Sequence, residues 1–102
     1  MKQLTVVEHD LKTHPPYFAK VYSGEKPFEI RLNDRDFQRG DTLMLREYDP
    51  ECGKVQAMGS PDPCYTGRWV QAEVTYITSY GQKPGYVVMG IKMIERNGLR
   101  TQ

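Results

Sequence analysis

The sequence predicts an α+β fold: a small, mixed but mostly antiparallel β-barrel with one or two flanking helices. Two observations predict it. Segments at residues 5–8, 28–32, 42–48, 69–79 and 86–94 are rich in β-branched and aromatic residues and are separated by turn formers. Only the stretch after Thr13 carries apolar residues at helical spacing. The 102 residues leave room for a single domain, placed at 1–96, with a flexible tail at 97–102. Strands in so short a chain protect their edges most simply by curling toward closure.

The first strand is read from the apolar pair Val6-Val7 before Glu8. Thr13-His14-Pro15-Pro16-Tyr17 reads as a helix start, with proline tolerated in the first turn. Phe18, Val21 and Tyr22 then recur on one face, and Gly24 stops the helix after about two turns. Phe28-Glu29-Ile30-Arg31-Leu32 alternates strictly, which predicts Phe28, Ile30 and Leu32 toward the core and Glu29 and Arg31 together on the other face. Leu43 and Leu45 alternate with Thr42, Met44 and Arg46 in the same way. In the next strand Val70, Ala72, Val74 and Tyr76 oppose Trp69, Gln71, Glu73 and Thr75. The nearly unbroken apolar run from Tyr86 predicts a central strand covered on both faces.

A long loop is expected at about 50–68, where three of the seven prolines fall. It holds both cysteines, Cys52 and Cys64, expected as free thiols in a reducing compartment. With His9 and His14 they fit no usual ligand spacing, so no metal and no cofactor are expected. The longest apolar run, Tyr86-Val87-Val88-Met89, falls far short of the roughly 20 residues of a spanning helix. The opening MKQLTVVEHD is too poor in apolar residues for a signal peptide. A cytoplasmic monomer without membrane contact is therefore expected. The formal net charge of +1 excludes bulk phosphate neutralisation as the mode of action, but not a local basic cleft.

Three charged side chains converge where the helix gives way to the second strand. Lys26 enters from the turn, and Glu29 and Arg31 share a strand face. Arg31 offers a planar fork for phosphate or a base edge, Lys26 a point charge, and Glu29 an acceptor for a base amino group. The plainer alternative is an ion-pair network at the barrel mouth. His9 and Lys12 precede the helix and would close the same cleft, His9 as general acid or base or as a structural hydrogen-bonding group. Asn33-Asp34-Arg35-Asp36 suits a structural turn leading to Gly40-Asp41, with Arg35 a further phosphate contact. Tyr65 and Trp69 flank the long loop and would either stack on bases or pack.

The run Gly24-x-Lys26-x-x-Glu29-x-Arg31 resembles the signature of the ASCH domain, a branch of the PUA-like superfamily. The strings at 9–13, 33–41 and 45–50, and Gly85-Tyr86-Val87-Val88, resemble a bacterial and phage branch known as a domain of unknown function. The resemblance covers roughly residues 4–94. It implies a PUA-like β-barrel with a cleft lined by the motif, and binding of RNA or of a nucleotide or nucleoside. Lys12, Lys26, Glu29, Arg31 and Arg35 would then be the binding residues. Some ASCH proteins are enzymes. A similar branch hydrolyses the acetyl amide of modified cytidine, using the motif Lys, a Thr three residues later and a distant Glu. Lys26 matches that Lys, but Glu29 stands at the Thr position, and Glu73 is one candidate for the distant Glu. Other ASCH members resemble ribonucleases in activity. An enzyme reading would use Lys26 and Glu29, with His9, on RNA or modified nucleosides. A third reading is a phage or mobile-element accessory that binds a host protein through the 50–68 loop.

Overall fold

A computed structural model describes residues 6–51, 64–97 and, for the backbone, 99–100. Its elements are β1 (Glu8–Thr13), α1 (Pro15–Ser23), β2 (Phe28–Leu32), β3 (Thr42–Tyr48), β4 (Tyr65–Thr78), β5 (Tyr86–Arg96) and β6 (Leu99–Arg100). The sheet runs β1-β3-β4-β5-β2, with the two-residue β6 paired to β5. β1 lies parallel to β3, and the other pairs are antiparallel. The result is a curled, mixed, five-strand half-barrel with one helix among the described residues. No described helix is long and apolar enough to cross a membrane.

Alternation places Leu11 of β1, Leu43 and Leu45 of β3, Val70, Ala72 and Val74 of β4, and Met89 of β5 inside the curl, all buried. The helix closes one side by burying Phe18 and Val21. His14 enters it in an extended conformation ahead of Pro15 and Pro16. Gly24 ends it at φ +88°, a left-handed conformation that costs glycine nothing and other residues about 1–2 kcal/mol. The chain then doubles back, and the Lys26 N–H donates to the Lys20 carbonyl (3.1 Å). That return sets Lys26 at the head of β2.

Two register shifts between β4 and β5, at Gln71/Ala72 and Val74/Tyr76, bend the sheet. The second also changes the phase of β4. Tyr76, expected inside with Val70, Ala72 and Val74, is 61% exposed, and the half-buried Ile77 packs on the core instead. The first strand is displaced too, starting at Glu8 rather than ending there.

The largest departure is β2. Phe28, Ile30 and Leu32 point outward, Ile30 at 49% exposure, while Glu29 is buried and Arg31 half-buried on the inner face. The reason lies in the topology. β2 is an edge strand at the open side of the half-barrel, so its inner face meets a cleft rather than packed side chains. The outward residues lie across from Gly90, Val88 and Tyr86 of β5. β5 is central in pairing, as expected, but its outer face keeps Tyr86 exposed, with Val88 and Gly90 half-buried, rather than covered by a second layer.

Candidate functional site

β1 and β2 are the two ends of the sheet path, so no backbone ladder joins them. Side chains span the gap. The Arg31 Nη2 group donates to Thr13 Oγ1 (3.0 Å), and Arg31 Nε donates to Glu29 Oε1 (3.0 Å). The opening beside this bridge is a cleft of about 360 Å³, lined by Lys12, Thr13 and Tyr17 from β1 and α1, and by Lys26, Glu29 and Arg31 from the turn and β2. The expected convergence of Lys26, Glu29 and Arg31 is therefore present, and Lys12 joins it.

Glu29 is the centre of the arrangement. It is only 3% exposed, yet among the described residues its Oε2 has no hydrogen-bond partner. Lys26 Nζ stands 3.6 Å from that oxygen, close enough for charge attraction but too far for a good hydrogen bond. Buried carboxylates normally have their acceptor capacity used, so an oxygen without a hydrogen bond, on a residue that lines the cleft, keeps acceptor capacity for a ligand N–H or O–H that reaches it past Lys26. Lys26 is also held near two rings, 5.5 Å from the Tyr17 centroid and 5.4 Å from that of Phe28. Tyr17 is exposed and offers a ring face at the rim.

A further buried carboxylate, Glu47, was missed. It continues the inward phase of Leu43 and Leu45 at the end of β3 and stands across from Thr13 in the β1–β3 ladder. The Thr66 hydroxyl donates to Glu47 Oε1 (2.7 Å), and Arg68 Nη1 lies 3.5 Å from the same oxygen. Its signal was available: an acidic residue on a strand phase otherwise filled by leucine. Glu73, by contrast, is exposed, beside Thr42 and Lys92 on the outer face, and does not reach the cleft.

His9 and Arg35 do not join this site. His9 and Thr13 share the inner phase of β1, but they lie four positions apart, about 13 Å along a strand. His9 Nε2 lies 2.8 Å from Asp41 Oδ2, which also accepts the Gln38 N–H (3.0 Å). The His9 ring packs edge-on against Phe37 at 4.7 Å. Arg35 Nη1 donates to the Asp10 carbonyl (3.0 Å), and Arg35 and His9 line a separate cavity with Arg39 and Asp41. The Asn33 side chain accepts the Phe37 N–H (2.9 Å), so the 33–41 segment is a hydrogen-bonded turn. His14 sits at the helix start and lines the rim of the main cleft.

β4 begins at Tyr65, so the β3–β4 connection is shorter than the 50–68 loop read from the sequence, and residues 52–63 of that loop lie outside the described residues. Cys64 is disulfide-bonded, not the free thiol expected. Of the tail at 97–102, residues 98, 101 and 102 lie outside the described residues, and Leu99–Arg100 pairs with β5. Among the described residues no cluster of three His, Cys, Asp or Glu is placed to hold a metal ion.

Comparison with known proteins places this geometry in a family. A curated relative, described as an uncharacterized 12.9 kDa protein in the GpA 3′ region of Escherichia phage P2, is 40% identical over 70 residues. Those residues are 69% of this chain and 53% of that protein, so the chain spans about half the length of its relative. The profile of the family described as Domain of unknown function (DUF3850) matches residues 8–91, a span that runs from the first residue of β1 into β5 and includes every cleft residue named above. This chain belongs to the DUF3850 family.

Proposed function

We propose that the cleft binds a nucleotide or nucleoside unit of RNA. The observation that carries this reading is the buried Glu29 carboxylate, whose Oε2 has no hydrogen-bond partner among the described residues, set between Lys26 and Arg31 on the wall of an open cleft. Such an oxygen suits the amino or imino edge of a base. Lys26 supplies charge for a phosphate or a base carbonyl, and the exposed Tyr17 ring is a stacking surface. Arg31 is committed to Glu29 and Thr13, so its main task is to hold the carboxylate in place. The ASCH-like motif at 24–31 supports the same reading, and with it a PUA-like relationship. Kinship with a phage-encoded protein supports a role in a phage or mobile element.

A hydrolytic function is the second reading. It is favoured by the ammonium of Lys26 lying 3.6 Å from a buried carboxylate, a pair suited to proton transfer. His9 has no part in it, since Asp41 holds it in the other cavity.

The test is an amide-shift titration of labelled protein with the four ribonucleoside monophosphates. Shifts centred on Lys26, Glu29 and Arg31, lost in Lys26→Ala, are expected. Shifts elsewhere, or none at all, overturn the reading. Incubating the same samples with single-stranded RNA and N-acylated cytidine separates a binder from a hydrolase.

A further inference from the structure

The cleft does not end at Lys12. That side chain lines it, and its ammonium lies 4.5 Å from the centroid of the Tyr48 ring and 6.0 Å from that of Tyr65. Among the described residues no carboxylate pairs with Lys12, so these ring faces are its contacts. Tyr48 and Tyr65 are directly opposite in the β3–β4 ladder and pack edge to face at 5.1 Å. Tyr65 remains 37% exposed. The ladders continue the row: Lys12 is beside Arg46, and Arg46 beside the half-buried Trp69. One outer surface, leaving the cleft over the β1 edge, thus sets cations among aromatic rings; Arg46 is held by Asp10 at 2.8 Å, which leaves Lys12 as the cation resting on rings rather than on a carboxylate among the described residues.

Neither the motif at 24–31 nor a single bound nucleotide accounts for this row. Interleaved rings and cations form the usual track for single-stranded nucleic acid, because every base has a face to stack and every link a phosphate to neutralise. An edge that carried only a structural ion pair would not need an ammonium resting on two tyrosines. We infer that the ligand is a single-stranded segment of at least two nucleotides, with one base in the Glu29 cleft and its neighbour stacked on the Tyr48–Tyr65 pair. Lys12 stands between the two positions and contacts the phosphate that links them. The inference rests on the nucleotide reading of the cleft and adds chain length to it.

The experiment compares dissociation constants for ribonucleoside monophosphates and the matching RNA dinucleotides, by calorimetric titration. The dinucleotide of the preferred base is expected to bind about tenfold more tightly than its monophosphate, the scale of one stacked base. Tyr65→Ala removes that gain and leaves the monophosphate constant unchanged, while Tyr65→Phe keeps the gain. Tyr65→Leu repeats the test with bulk retained, should the alanine variant fold poorly. A monophosphate that binds at Glu29 with no gain on lengthening overturns the inference and leaves the cleft reading standing. So does a gain that survives in both Tyr65→Ala and Tyr65→Leu. Failure of every ligand to bind overturns both.

Discussion

Replacing Arg31 with methionine should destabilise the protein far more than its half-exposed position suggests. Among the described residues the guanidinium is the only group hydrogen-bonded to the Glu29 carboxylate, at 3.0 Å, and Glu29 is nearly fully buried. At an effective dielectric of about 20 that contact is worth about 5–6 kcal/mol of gross attraction. Lys26, at 3.6 Å, remains in the variant with about 4–5 kcal/mol on the same scale. Removing one partner of a buried pair typically costs about 3–5 kcal/mol. Arg31 is 23% exposed and Lys26 stays behind, so the expected net loss is about 2 kcal/mol. For a domain of this size that is a fall in Tm of about 8–16 °C. Urea unfolding of wild type, Arg31→Met, Glu29→Leu and the double variant measures it. The double variant should be more stable than Arg31→Met, because the stranded charge is gone. Lys20→Ala, in an ion pair exposed on both sides, should change stability by less than about 0.5 kcal/mol. An Arg31→Met loss as small as that of Lys20→Ala, or strict additivity of the two single variants, would refute the account of Glu29 as a buried carboxylate that depends on Arg31.

Other outcomes follow from the same geometry. Ile30→Thr should cost less than about 1 kcal/mol because the side chain faces outward, whereas Met89→Ala, directly inside, should cost about 2–5 kcal/mol; a comparison of Tm values decides between inward and outward β2. Gly24→Ala should lose about 1–2 kcal/mol and shift the amide signal of Lys26, since the left-handed turn delivers Lys26 to the cleft. Asp41→Ala strips the partner from His9 and the acceptor from the Gln38 N–H, for an expected loss of about 2–3 kcal/mol in denaturant titration. The amide shifts of Lys26 and Glu29 should not move in that variant, because the two sites lie at opposite ends of β1.

Local pattern was enough to locate β2 and β3, whose bounds match the reading of the sequence. It also brought Lys26, Glu29 and Arg31 together, since they lie within one turn and one strand. What it did not carry is long-range. Alternation in residues 28–32 divides the side chains into two faces without saying which is inside, and assigning the apolar set inward reversed the strand. Nothing local at Thr75 announces the bulge that turns Tyr76 out. The separation of His9 from the cleft depends on the parallel pairing that sets His9 beside Leu43, near Asp41. Glu47 was legible by the same alternation that identified Leu43 and Leu45, had the phase been followed two residues further.

The chain order of the site has a dynamic consequence. The cleft residues span only Lys12 to Arg31, one contiguous segment made of the two edge strands and the helix between them. β3, β4 and β5 form the uninterrupted middle of the sheet without it. Such a segment can open as a unit at a fraction of the cost of global unfolding. Its opening exposes both walls of the cleft at once, and whatever binds between the walls opposes it. Occupancy should therefore be readable as slower hydrogen exchange along β1 and β2, with the amides of β4 keeping the rate set by the fold as a whole.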